Sequence, residues 1–263
     1  MKQKQNLLII SFIVLAVWLA IVLGGEILQA GKGSLDEMAS NQFVIALFVA
    51  PIFLLVVIAL FKWNWQTIGL KTAQDWKLLW LPALFVLGFI GMAVATGLPP
   101  TQTIIIVLVN AMLVGVSEEL MFRGILFRNL MQSAMGTWAA IWVVSIMFGV
   151  VHSLNGFLTG DFLAASSQAL AAMMSGIWLH AIRLRTKSLY PAMIIHGLWD
   201  FALFMLAAAV VAGGATASAT NDYADSNVLQ QMLLPALMPF PLFLYGLWLL
   251  RGIGGKTKAE VLA

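Results

Sequence analysis

The chain has 263 residues, of which 62% are hydrophobic and 10% charged. Its mean hydropathy is +0.97. Soluble domains carry about 25% charged residues, so this balance excludes an ordinary water-soluble fold. The formal net charge is +3, but the basic residues are scattered between apolar segments rather than gathered in a patch. That pattern argues for membrane topology and against a nucleic-acid partner. Cysteine is absent, which excludes disulfides and thiolate metal sites.

Windows of about twenty apolar residues predict eight membrane spans, at roughly 6–25, 42–62, 77–97, 104–126, 137–155, 165–185, 189–212 and 228–250. The first follows Lys2 and Lys4 like a signal peptide. Its apolar stretch from Leu7 to Gly24 exceeds the ~7–15 residues of a signal core, and no small-x-small cleavage site follows. A retained first helix is expected. Gly97, Leu98, Pro99 and Pro100 form the turn before the fourth span, because two consecutive prolines cannot continue a helix. Pro191 suits the first turn of the seventh span, which places its start near Tyr190. Gly213 to Asn227 is small and polar, as an extracytoplasmic loop would be.

Orientation follows from Lys and Arg. With the N-terminus inside, all of the 14 basic residues except Lys32 fall on or toward the cytoplasmic side. A one-helix shift destroys that segregation. The opposite loops would then carry Glu26, Asp36, Glu37, Asp161, Asp222 and Asp225. The expected architecture is an all-α, polytopic transmembrane helical bundle of about eight spans, with both termini cytoplasmic. It divides into residues 1–103, which carry no motif, a core at 104–210 that holds the polar motifs, and a 211–263 tail containing the last span.

An ionisable group inside a span costs about 2.5–3.5 kcal/mol on the insertion scale, so function is the default explanation for one. The segment Ser117-Glu118-Glu119-Leu120-Met121-Phe122-Arg123 holds two such acids. Successive helical residues diverge by about 100°, so the two carboxylates face different ways. Glu119 and Arg123 lie four apart on one face and can pair. Glu118 is left to face a cavity as a candidate general base. His152 follows Phe148 by four residues, and Asp200 follows His196 by four, so each pair shares a helix face. The remaining histidine, His180, sits near Arg183 and Arg185 at a helix end and is expected at the membrane interface. Counted from the expected helix starts, His196 lies about 9 Å and His152 about 22 Å from the same membrane face. A strong tilt, a later start for the fifth span, or an interfacial stretch across Leu126 to Met135 would reconcile the two depths.

The Glu-Glu-x-x-x-Arg, Phe-x-x-x-His and His-x-x-x-Asp elements, in this order within apolar segments, resemble the CPBP family. That family comprises type II CAAX prenyl endopeptidases and bacterial relatives linked to bacteriocin processing or self-immunity. The resemblance spans roughly residues 104–210. It implies an intramembrane endopeptidase of a bacterial cytoplasmic membrane that acts on a membrane-associated peptide or protein. By the same resemblance Glu118 and His152 would activate water, and His196 with the residue four later would stabilise the oxyanion. Glu119 and Arg123 would support the site. Prenyl-protease members usually carry Asn where this chain has Asp200. An ionised carboxylate cannot donate to an oxyanion, so Asp200 would be protonated, orient His196 or bind a metal. Family members have been described as metalloproteases, and zinc would accept these side chains as ligands. The usual His-Glu-x-x-His helix is absent, and a metal-free, glutamate-activated water is favoured. Two other readings remain open: a non-enzymatic immunity factor or scaffold whose polar core holds helices together, and a proton-coupled transporter.

Overall fold

The computed structural model describes residues 2–30, 35–133, 135–213, 233 and 235–262, and every described element is helical. Helices α1 (Lys2–Ala30), α2 (Leu35–Asn41), α3 (Ile45–Leu60) and α4 (Trp65–Ile68) are followed by a short 3₁₀ turn, Trp76–Leu79, and α5 (Trp80–Thr96). Next come α6 (Thr101–Glu119), a π-helical stretch (Leu120–Leu126) and α7 (Phe127–Gln132), without a break between them. The chain continues through α8 (Thr137–Ser153), α9 (Gly156–Thr159), α10 (Phe162–Thr186), α11 (Tyr190–Ala212), α12 (Phe240–Leu249) and α13 (Lys258–Leu262). Lys32, Asp222, Asp225 and the expected loop beyond Gly213 lie outside the described residues.

Local chemistry sets the boundaries. Gly97, at φ 122°, and the two prolines after it separate α5 from α6. Asp161 caps α10 by accepting from the Ala164 amide at 2.9 Å. Lys187 ends α10 in the left-handed region at φ 57°, and Pro191 opens α11.

Among the described residues, seven helices are long and apolar enough to cross a membrane. The second of the eight expected spans is the shortfall, since α3 has only 16 residues. Its flanks nevertheless reach as far as α1 does. At one end Gln29 of α1 accepts from the Ile45 amide and donates to the Phe43 carbonyl. At the other, Trp63 lies 5.5 Å from the Arg128 guanidinium, next to Asn129, which bonds Ser11 of α1. From Ser11 to Gln29 the rise is about 27 Å, close to the ~30 Å hydrocarbon core, and α3 rises about 22 Å from Ile45 to Leu60 before the turn that carries Trp63.

The fourth span also differs from expectation. It runs from Thr101 to Gln132 as one helix, about a turn and a half beyond Leu126. Leu7 of α1 and Leu262 of α13 line the same recess beside Met131, so the two ends of the chain meet at one end of the bundle. Lys62, Lys71, Arg183 and Lys187 gather at this end through the Gly69–Leu189 and Gln74–Thr186 backbone bonds. Partial burial and then the charges of Arg183 and Lys187 lower the Lys71 ammonium below its ordinary pKa.

Glycines allow the two closest helix pairings. A Cβ on Gly115 of α6 would fall 2.6 Å from the Gly197 nitrogen and 2.7 Å from the Met193 carbonyl of α11. On the other side of the bundle, a Cβ on Gly149 of α8 would lie 2.6 Å from the Ala169 carbonyl, and one on Gly176 of α10 would lie 2.7 Å from Ser145 Cβ. Small residues at such contacts let backbones approach, which is how helices associate in lipid. The first pairing carries Glu118 and Glu119 up to His196. The second sets the helix of His152 against α10.

Candidate active site

Glu119 is one helical turn beyond Gly115, so the α6–α11 contact points it at the residue beside Gly197. His196 Nδ1–H donates to Glu119 Oε1 at 2.9 Å. Arg123 Nη1 donates to the same oxygen, also at 2.9 Å, and both members of this ion pair are fully buried. The guanidinium lies 4.1 Å from the centre of the Phe148 ring. That ring also packs edge-on against His152 at 4.6 Å and His196 at 5.9 Å. Phe148 thus walls off the site, while Glu119 and Arg123 hold His196 in place.

Glu118 points away from this pair, as helical geometry requires. Its Oε2 lies 3.6 Å from His196 Nε2 and 4.0 Å from His152 Nε2. That oxygen is buried and has no hydrogen-bond partner among the described residues. Asp200 Oδ2 is 3.6 Å from His196 Nε2, beyond hydrogen-bond reach. All six residues singled out from the sequence therefore meet around one point.

The two histidines present different faces to that point. His152 Nδ1 is 2.7 Å from the Phe148 carbonyl, which can only accept, so Nδ1 carries the proton. A neutral His152 then offers the Nε2 lone pair toward Glu118. His196 gives its Nδ1–H to Glu119, and its Nε2 faces Glu118 and Asp200. When the His196 ring is charged, Nε2 is a hydrogen-bond donor.

Two cavities meet at this cluster. One, of about 140 Å³, is lined by Glu118, His152, Asp200, Asn110 and, from α1, Trp18 and Glu26. The other, of about 500 Å³, is bordered by His152, His196 and Asp200 and runs between Trp178, Trp199 and Pro239. Sequence reasoning placed Glu26 in an outer loop and assigned no role to α1. Glu26 instead lies within the first span and faces the same cavity as Glu118. Asn110, an uncharged polar residue in an apolar span, carried a signal that was passed over. It holds the start of α3 through the Val44 amide and the Ala39 and Gln42 carbonyls.

His180 is not interfacial. It is fully buried, with Nδ1 3.0 Å from the Gly176 carbonyl and its ring edge-on to Phe127 at 4.9 Å. The polar group at that helix end therefore packs inside the bundle.

The depth conflict between the histidines also has a structural answer. The fifth span begins at Thr137 as expected, and residues 126–131 are buried helix, so a later start does not apply and no interfacial stretch begins at Leu126. The two helices instead start at different levels. A Cβ on Gly124 would lie 3.2 Å from Leu189, so α11 begins beside Gly124, whereas α8 follows the end of α7 at Gln132. The eight intervening residues rise about 12 Å, nearly the whole 13 Å discrepancy.

A zinc ion would hold its tetrahedral ligand atoms about 3.3 Å apart, from metal–ligand bonds of about 2.0–2.1 Å. Here the facing atoms are 3.6–4.0 Å apart. No group of three or more His, Cys, Asp or Glu among the described residues is arranged to hold a metal. The facing atoms of these side chains stand wider apart than the ligand atoms of one zinc ion.

Fold and site together define a polytopic helical membrane protein with a buried Glu/His/Asp cluster at the junction of two cavities. Residues 100–202 match the family described as type II CAAX prenyl endopeptidase Rce1-like, which supports the CPBP family resemblance read from the three motifs. The match covers the helices that carry all three motifs. No curated protein and no solved structure matches the chain.

Proposed function

We propose that this protein is an intramembrane endopeptidase in which Glu118 activates a water molecule for attack on a peptide carbonyl. The observation that supports this best is the approach of His152 Nε2 and His196 Nε2 to the otherwise unpartnered Glu118 Oε2, at 4.0 and 3.6 Å. A water between Glu118 and His152 would donate to both. As its oxygen adds to the carbonyl carbon, one proton passes to Glu118. His196, charged and held by Glu119, turns Nε2–H toward the developing oxyanion. Collapse of the tetrahedral intermediate breaks the C–N bond, and Glu118 returns its proton to the leaving amine. Asp200, as a carboxylate, cannot donate; it faces His196 Nε2 and supports the imidazolium.

The substrate is a membrane-associated peptide or protein, and its scissile bond would lie where the two cavities meet. The membrane is the bacterial cytoplasmic membrane. The mechanism needs no metal, so chelator-treated protein should keep its activity. Loss of activity on chelation with recovery on adding Zn²⁺ would refute that part.

The decisive assay uses a quenched-fluorescence peptide library, with and without prenylated C-terminal sequences, in proteoliposomes. Glu118→Gln should lower hydrolysis about 10²–10⁴-fold, as loss of a general base does, with no loss of folding. Full hydrolysis by folded Glu118→Gln protein would leave the cluster as a device for holding helices together. Cleavage of prenylated members alone would assign the narrower substrate class.

A further inference from the structure

The π-helical stretch immediately follows the two glutamates, and α1 bonds the same helix on both sides of it. Before the stretch, the Trp18 indole N–H donates to Ser117 Oγ at 2.7 Å. After it, the Asn129 side-chain N–H donates to Ser11 Oγ at 2.8 Å. All four side chains are buried, at 0–1% exposure. Inside the stretch the Phe122 ring packs edge-on against Trp18 at 5.8 Å. The wide turn shows in its hydrogen bonding: the Phe127 amide reaches the Phe122 carbonyl five residues back as well as the Gly124 carbonyl.

Phase explains why both bonds can form. Ser117 and Asn129 are twelve residues apart, which in an unbroken α-helix places them about 120° from each other. A π stretch takes up one extra residue within the helix. Eleven α-helical steps remain, and these leave the two residues about 20° apart, on one face. Ser11 and Trp18 are seven residues apart and also about 20° from each other on α1. One face of α1 can therefore reach both residues only while the wide turn persists.

We propose that α1 is a splint that holds the π stretch in register, and that Trp18 is a positioning residue that sets Glu118 through the neighbouring Ser117. Collapse of the stretch to α-helix would rotate Ser117 and Glu118 by about 100° relative to Asn129 and the rest of the helix beyond Leu126. It would break one of the two bonds to α1 and turn Glu118 away from His152 and His196. The conformational part of this inference stands on the two bonds and the phase. The kinetic part rests on the hydrolase function proposed above.

The test compares Trp18→Phe, Ser117→Ala and the double variant with wild type. Leu15→Ala serves as a packing control on the same helix. Amide hydrogen exchange across residues 117–129 is the first readout: residues 120–126 should exchange at least about tenfold faster in Trp18→Phe and at the wild-type rate in Leu15→Ala. For hydrolysis, Trp18→Phe should lower kcat about tenfold, the scale of one hydrogen bond, with KM within about twofold. The double variant should be no worse than either single one. Unchanged exchange at 120–126, or additive losses in the double variant, overturns the splint. If wild type hydrolyses nothing, the hydrolase function fails, and the exchange result alone decides the splint.

Discussion

At the scale of single residues, the site depends on one shared oxygen. Glu119 Oε1 accepts from both Arg123 and His196, so the sequence pair four residues apart also sets a histidine 77 residues away. Glu119→Ala would leave Arg123 charged and unpaired in a dry interior. We expect a loss of about 3–5 kcal/mol of stability, measured by unfolding in mixed micelles. Asp200 is the departure from the usual prenyl-protease pattern. Asp200→Asn removes a charge beside His196 but supplies an N–H donor at the same place. Hydrolysis by this variant should stay within about tenfold of wild type in kcat/KM. A loss beyond about 10²-fold would assign Asp200 a role that only a carboxylate performs. The Glu119–Arg123 pair and the separate heading of Glu118 were legible from the 100° step per residue. The bond from Glu119 to His196 was not, because nothing in the local pattern says which helices touch.

At the scale of helices, a few backbone contacts decide whether these side chains meet. A methyl group on Gly115 would collide with backbone atoms of Gly197 and Met193, and backbone cannot swing aside as a side chain can. Gly115→Ala should push α6 off α11 and stretch the Glu119–His196 bond. We expect about 1–3 kcal/mol of destabilisation and a fall in kcat, against a small effect for Gly88→Ala, where no atom lies within 4 Å. Thermal unfolding in detergent and steady-state kinetics would check this. The helix starts at Thr137 and near Tyr190 were readable from composition and from Pro191. Their difference in level was not, because it comes from the continuation of the fourth span to Gln132 and the docking of Leu189 beside Gly124. The π stretch was equally hidden. Its residues, Leu-Met-Phe-Arg-Gly-Ile-Leu, are compatible with an ordinary helix, and its register is held from α1.

For the whole molecule, topology follows from α3. Among the described residues seven helices meet the usual length for a span, and α3 falls short. Its two ends are nevertheless bonded near the two ends of α1, so we propose that it crosses. The absence of cysteine makes this simple to test with single introduced thiols and a membrane-impermeant maleimide. Lys62→Cys, Lys187→Cys and Lys256→Cys should label from the cytoplasmic side, and Leu98→Cys and Asp161→Cys from the other. Asn41→Cys, just before α3, should label from that other side too; labelling of Asn41→Cys and Lys62→Cys from the same side would mean that α3 does not cross, and would remove the proposed orientation.

The sequence by itself determined the solvent, the helical architecture and which ionisable residues lie within the spans. Composition and apolar run length act locally, and an ionisable group in a span announces its own cost. The three motifs carried the family resemblance for the same reason, since each is a spacing within one helix. Only the tertiary structure decided that Glu118, His152, His196 and Asp200 meet, that His180 is buried, that Glu26 faces the same cavity as Glu118 and that α1 bonds the helix that carries Glu118. Those outcomes depend on which helix faces pack together and at what relative height. In this bundle, glycine contacts, one wide helical turn and two buried side-chain hydrogen bonds fix both.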